Sequence, residues 1–218
     1  MSISDRASLY ARLQAGLAEL GLAPGADACE RLLDYVELLT RWNTAYNLTA
    51  VRAPDEMVTR HLLDSLAVAK LVRGDSLADL GTGAGLPGIP LAILAPERQH
   101  TLIDSNGKKV RFLREAVRTL GLANVQVQQS RVEDARGQYD CITARAFATL
   151  GEMLRLGGHL LATDGIWIAL KGRLSKEEIL GVPAGFAVAD VMVLTVPGLG
   201  AARQVAIIKR TNAQEQAA

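Results

Sequence analysis

Apolar residues along this chain change their spacing near residue 74. Before it they recur every three or four positions. Leu9, Leu13, Leu17 and Leu20 form one set; Leu32, Leu33, Val36 and Leu39, running on to Trp42, form a second; Val58, Leu62, Leu66 and Ala69 form a third. That spacing puts each set on one helix face and predicts three helices. Gly21 is placed to end the first. Pro54, followed by Asp55 and Glu56, is placed to open the third, where its missing N–H costs nothing and acids suit the helix dipole. Beyond residue 74 the apolar positions gather into short runs at 76–80, 99–104, 125–128, 139–143, 166–171, 187–196 and 203–209. Such runs, alternating with helical stretches, predict a parallel sheet covered on both faces. The last two runs have no long helix between them, which predicts an antiparallel pair.

The first run leads into Asp79-Leu80-Gly81-Thr82-Gly83-Ala84-Gly85, and a helical stretch led by Pro87 follows. A strand that turns through glycines into a helix suits nucleotide-like ligands, because glycine lets the backbone approach and the helix start offers free N–H groups. Two registers overlap here. Gly83-Ala84-Gly85-Leu86-Pro87-Gly88 is a literal G-x-G-x-x-G, the dinucleotide fingerprint. Gly81-x-Gly83-x-Gly85 behind an acid is the loop form of S-adenosylmethionine-dependent methyltransferases. There Asp79 would receive the ammonium of the methionine moiety, directly or through water. The dinucleotide register leaves Asp79 without a role and needs the strand to run past Gly81. Asp104 lies about 20 residues beyond the glycines, where both folds place a carboxylate on ribose hydroxyls. An acid just past the third strand can accept the exocyclic amine of adenine beside an apolar neighbour; Glu133 and Val132 fit that pair.

Composition narrows the classes. The 218 residues are 49% hydrophobic and carry a formal net charge of +1, enough for a full core and no indication of a partner. Cys29 and Cys141 lack C-x-x-C spacing, which argues against metal and redox roles; no metal site is expected. The N-terminus lacks the pattern of a secretory signal and no window approaches a membrane span, so a cytoplasmic protein is expected. The placement of charge says more. Arg111, Arg114 and Arg118 share one helical face, and Val110, Leu113, Val117 and Leu120 take another. Arg41, Arg52, Arg60, Arg145, Lys171, Arg173 and Arg203 punctuate loops. Converging, such bases would hold phosphates; apart, they are solvated charges. Trp42 and Tyr46 could stack on nucleic-acid bases or pack in the core.

Linked motifs then carry a family resemblance. They are Arg41-Trp42-Asn43-Thr44-Ala45-Tyr46-Asn47-Leu48-Thr49; Arg60-His61-Leu62-Leu63-Asp64-Ser65; GTGAGLPGIP from Gly81; Asp104-Ser105; Lys108-Lys109-Val110-Arg111-Phe112-Leu113; Ser130-Arg131-Val132-Glu133; Arg145-Ala146-Phe147-Ala148; and Leu170-Lys171-Gly172. Over about residues 30–210 the chain resembles the RsmG (GidB) family of bacterial 16S rRNA guanine-N7 methyltransferases. The resemblance implies an α/β, Rossmann-like class I methyltransferase fold: a mostly parallel seven-stranded sheet with an antiparallel last strand. Residues 1–74 would be a helical extension packed on it, 75–210 the methyltransferase domain and 211–218 a polar tail.

The resemblance also implies an activity. The substrate would be one guanine of the decoding-region loop of 16S rRNA, within the 30S subunit or an assembly intermediate. The methyl donor would be S-adenosyl-L-methionine, the product S-adenosyl-L-homocysteine and the enzyme a monomer. Gly81 and Leu86 would contact the cofactor, Val132 and Glu133 would hold adenine, and Arg145 would lie by the methionine end. With Asp79, Gly83, Gly85 and Asp104 these make the expected cofactor site. Arg41, Arg60, His61, Arg111, Lys171 and Arg173 are the RNA-contact candidates. Guanine N7 carries no proton, so direct in-line attack needs no general base and no catalytic residue is assigned. Cys141 sits inside an apolar run without a base beside it, unlike the nucleophile of C5 chemistry. A nicotinamide-dependent oxidoreductase and a non-catalytic RNA-binding factor are the competing classes.

Overall fold

The apolar stripes of the first 74 residues form helices and bury their faces. In a computed structural model, α1 spans Ile3–Glu19 and α2 spans Ala26–Tyr46. The structure describes residues 3–145, 148–201 and 203–211; Ala146 and Phe147 of the family motif and the expected tail beyond 211 lie outside them. Leu9, Leu13 and Leu17 of α1, and Leu32, Leu33, Tyr35, Val36 and Leu39 of α2, are buried. Gly21 ends the first helical stretch at φ 63°, while the Leu22 N–H donates back to the Leu17 carbonyl at 2.8 Å. The third stretch departs from a simple α-helix. It opens on Pro54 as α3 (Pro54–Met57), widens into a π-helical segment at Val58–Leu63 and closes as α4 (Asp64–Leu66). Its apolar residues still face inward, so the 3.6 period is kept closely enough to predict a helix without revealing the wider turn.

Among the described residues the remaining α-helices and β-strands are β1 (Ser76–Leu80), α5 (Gly88–Leu94), β2 (Gln99–Asp104), α6 (Gly107–Thr119), β3 (Val125–Gln129), β4 (Tyr139–Arg145), α7 (Leu150–Gly157), β5 (Leu161–Lys171), α8 (Lys176–Leu180), β6 (Phe186–Leu194) and β7 (Arg203–Arg210). The seven strands lie in the order β3-β2-β1-β4-β5-β7-β6. Only β7 is reversed, antiparallel to both β5 and β6. β5 starts five residues before the expected run because Thr163 and Asp164, in its first half, are polar and exposed.

Consecutive strand residues serve opposite faces. Leu77 joins a core with Leu13, Leu33, Tyr35, Ile89, Leu113 and Ile168, so the helical front and one sheet face share one apolar cluster. Ala78 and Leu80 join the other, with Ile142, Met153, Trp167 and Ile208. The strand order reverses between β1 and β4, which opens a crevice at their carboxyl ends, where ligands of such sheets bind.

Candidate active site

A cavity of about 590 Å³ occupies that crevice. Its floor is the glycine loop after β1, represented by Gly81, Thr82, Gly83, Ala84 and Leu86; Asp104, Val132, Glu133 and Arg145 stand around it. Gly81, Gly83 and Gly85 sit at φ 64°, 63° and 89°, a region an L side chain rarely adopts. Gly85 faces away from the cavity, and a Cβ there would come within 2.4 Å of Ile89.

Asp79 lies beneath this loop and does not line the cavity, a difference from the expected contact with the ligand's ammonium. It is fully buried and accepts from the Thr82 hydroxyl at 2.5 Å, the Gly88 N–H at 2.9 Å and the Thr143 hydroxyl at 3.0 Å. Burial pushes its pKa up to about 6, partly offset by these donors. Gly88 is needed for this arrangement, since a Cβ would come within 2.2 Å of Leu102 and 2.9 Å of Asp79 Oδ2. The last glycine of the literal dinucleotide match thus packs helix α5 on β1 and holds Asp79.

Asp104 faces the cavity from the end of β2 and is fixed in place. Its Oδ2 accepts the Gly83 N–H at 2.9 Å, its Oδ1 accepts the Asn106 N–H at 2.8 Å, and the Lys109 ammonium stands 3.6 Å away. Asn106 in turn caps α6 through the Lys108 and Lys109 N–H groups. Each carboxylate oxygen keeps a lone pair for another donor. On the turn after β3, Val132 is buried and Glu133 exposed, with Arg131 3.7 Å from the Glu133 carboxylate.

The helical front supplies parts of the site that periodicity could not show. The Tyr35 hydroxyl, on buried α2, donates to the Ala84 carbonyl at 2.8 Å and pins the glycine loop. Asn43 braces the segment after α2 by accepting from Thr49 N–H and donating to the Thr49 and Val51 carbonyls, which sets Leu48 and Thr49 on the cavity wall. The Thr49 hydroxyl meets His61 Nε2 at 2.9 Å. His61 is buried in the π-helical segment and burial pushes its pKa down to about 4, so the ring is neutral near pH 7.

A second cavity, of about 440 Å³, adjoins the first, and Arg145 lines both. Asp64 is buried there between two guanidiniums: Arg145 Nη1 at 3.2 Å from Oδ2 and Arg203 Nε at 2.7 Å from Oδ1. Neither Asp64 nor Arg203 stood out as a site residue by type or spacing. The signal lay in Arg60-His61-Leu62-Leu63-Asp64-Ser65, which sets His61 and Asp64 three apart on the same segment.

The expected RNA contacts divide. Arg60 is exposed on the rim of the second cavity and Arg173 is exposed after β5. Arg111 is exposed in a separate groove with Tyr46, Lys108 and Arg114. Arg41 stands in another cavity that also carries Asp5, Glu37 and Asp55, acids that disfavour phosphate. Lys171 differs from the expectation. Its side chain is 12% exposed, pairs with Glu178 at 2.5 Å and donates to the Ala148 carbonyl. Trp42 packs against Phe112 of α6 with Tyr46 stacked on it, so its ring is committed to holding α2 on α6. Burial pushes the Cys141 thiol up to about 12, which keeps it an inert core residue.

A 3-2-1-4-5-7-6 sheet with one reversed strand, a glycine loop after β1 and a carboxylate ending β2 define a class I, Rossmann-like methyltransferase fold. The crystal structure of the B. subtilis M1A22 tRNA methyltransferase TrmK shares this fold. It superposes with a TM-score of 0.56 at 16% identity, over 68% of this chain and 66% of that one. The chain belongs to the GidB family of methyltransferases, rRNA small subunit methyltransferase G, whose model matches residues 28–207. The ribosomal RNA small subunit methyltransferase G of Stenotrophomonas maltophilia strain K279a is 55% identical over 204 residues, 93% of this chain and 95% of that protein. That of Xanthomonas campestris pv. campestris strain B100 is 54% identical over 187 residues, 85% and 88% respectively.

Proposed function

We propose that this protein methylates N7 of a single guanine in the decoding-region loop of 16S rRNA, with S-adenosyl-L-methionine as donor. The observation that carries the donor reading is Asp104: a carboxylate fixed by the Gly83 and Asn106 N–H groups, with a free lone pair on each oxygen for the two ribose hydroxyls. Val132 and Glu133 hold the adenine. Gly81, Gly83 and Leu86 form the wall by the donor, and Arg145 lies at its methionine end. Asp79 and Gly85 support the loop from below.

S-adenosylmethionine supplies a methyl group on a positively charged sulfur. Guanine N7 presents a lone pair and no proton, so the residues need only bind, orient and exclude water. His61 fits that economy: it is neutral, buried and tied to Thr49, which suits a structural wall better than a base. The protein acts as a cytoplasmic monomer on the 30S subunit or an assembly intermediate. Its family membership supports the rRNA substrate.

The test is radiolabelled methyl transfer to 30S subunits from cells lacking the activity. Label is expected in 16S rRNA as 7-methylguanine at one position; label in protein or in another base overturns the reading. In equilibrium titration S-adenosylhomocysteine is expected to bind and NADH is not.

A further inference from the structure

We propose that the second cavity, beyond Arg145, receives the target base, and that Arg145 and Arg203 read the O6 edge of guanine there. This rests on the methyl-transfer reading above. Three observations support it. First, the cavity adjoins the donor site through a common residue, Arg145, and the Thr49–His61 hydrogen bond ties a wall of one to a wall of the other. A base held there lies next to the donor without crossing the domain.

Second, its polar groups are mostly donors. Arg60, Arg145 and Arg203 offer N–H groups and no acceptor. The Asp64 carboxylate spends an oxygen on each of two guanidiniums, Arg145 through Nη1 and Arg203 through Nε. The remaining N–H groups of both arginines are left for a ligand. Such a site fits an edge made of acceptors. Guanine presents O6 and N7 side by side, whereas adenine presents an amine next to its N7 and cytosine presents an amine on the equivalent edge. A guanidinium on O6 leaves the N7 lone pair available. Val51 and Leu170 supply apolar surface for the ring faces.

Third, the arginines are set rigidly. Asp64 has 4% of its side chain exposed and opens α4 directly after the π-helical segment, while Arg145 and Arg203 come from the ends of β4 and β7. Asp64 is thus a positioning residue that joins three separate parts of the fold behind the pocket. The π-helical segment that Asp64 caps is of a kind frequently found at functional sites.

The test has two arms. In the first, the unaltered protein is given 30S subunits reconstituted with 16S rRNA carrying inosine or 2-aminopurine at the target position. Inosine keeps O6 and N7; 2-aminopurine keeps N7 and lacks O6. Inosine is expected to be methylated at a rate near that of guanine, and 2-aminopurine roughly 10- to 100-fold more slowly, the loss expected for a charge-assisted hydrogen bond. A 2-aminopurine rate equal to that of guanine, or an inosine rate as low as that of 2-aminopurine, overturns the proposal. In the second arm, Arg203→Met is expected to lower kcat by roughly 10- to 100-fold with S-adenosylhomocysteine affinity unchanged, and Arg203→Lys to recover part of the rate. Loss of S-adenosylhomocysteine affinity in step with the rate overturns it. If the functional reading itself fails, the unaltered protein labels no guanine in unsubstituted subunits, and both proposals fall together.

Discussion

Asp79 has no exposed surface and three hydrogen-bond donors around it, so its charge organises the loop above it rather than meeting solvent. An acid two residues before a glycine loop is visible in the sequence; its direction is not. Neighbouring strand residues face opposite ways, and here the pairing of Asp79 with Thr143 and the close approach of Gly88 turn the carboxylate toward α5. Asp104 was legible because an acid that ends a strand at the edge of a ligand crevice has few other places to point. The Asp79 arrangement gives a sharp prediction for Gly88→Ala. The added methyl would meet Leu102 at 2.2 Å and Asp79 at 2.9 Å in a packed interior. Overpacking of that kind costs about 1–3 kcal/mol. The urea midpoint is expected to fall accordingly, and calorimetric titration to show weaker S-adenosylhomocysteine binding because the loop shifts with Asp79. Binding of normal strength in a destabilised variant would mean that the loop does not depend on Asp79.

At the level of elements, the helical stripes and seven strands were readable because burial imposes its period on the sequence. The π-helical turn, the early start of β5 and the contacts between distant elements were not, since none of them changes the local pattern. Tyr35 is such a contact: it reads as one more apolar position in α2, yet its hydroxyl holds the Ala84 carbonyl. Tyr35→Phe leaves that buried carbonyl without its donor, at a cost of about 1–3 kcal/mol. A lower melting temperature and severalfold weaker S-adenosylhomocysteine binding are expected; unchanged affinity would limit the helical front to a structural cover. The basic side chains divide along the same lines. Lys171 is spent on Glu178 and the Ala148 carbonyl, whereas Arg111 and Arg114 on α6 are exposed beside Tyr46. Replacing Arg111 and Arg114 by Ala should weaken binding to 30S subunits and flatten its dependence on log salt by roughly 0.7–0.9 for each phosphate contact removed. Lys171→Ala should lower stability and leave that slope unchanged. A filter-binding series over salt concentration separates the two outcomes.

Across the whole molecule the buried titratable groups set how stability responds to acid. His61 and His100 both titrate near 4 in the fold, held below the ordinary 6.5 first by burial. His100 sits on β2 with 1% of its surface exposed and no hydrogen-bond partner for either ring nitrogen among the described residues. A histidine whose folded pKa is depressed binds its proton more readily when unfolded. Its contribution is therefore present above about pH 6.5 and is lost as the pH falls toward 4. Asp79 runs the other way. Burial raises it from 3.8 to about 6, so its contribution is present below 3.8, is lost as the pH rises toward 6, and returns on acidification. Between pH 7 and pH 5 each histidine loses about 2 kcal/mol and Asp79 returns about 1 kcal/mol, so the histidines prevail. Urea unfolding at the two pH values should show the protein losing about 2–3 kcal/mol at the lower one. His100→Leu fills the same apolar space without a titrating group. Its loss should shrink to well under half of that, and a variant as acid-sensitive as the parent would remove His100 from the account.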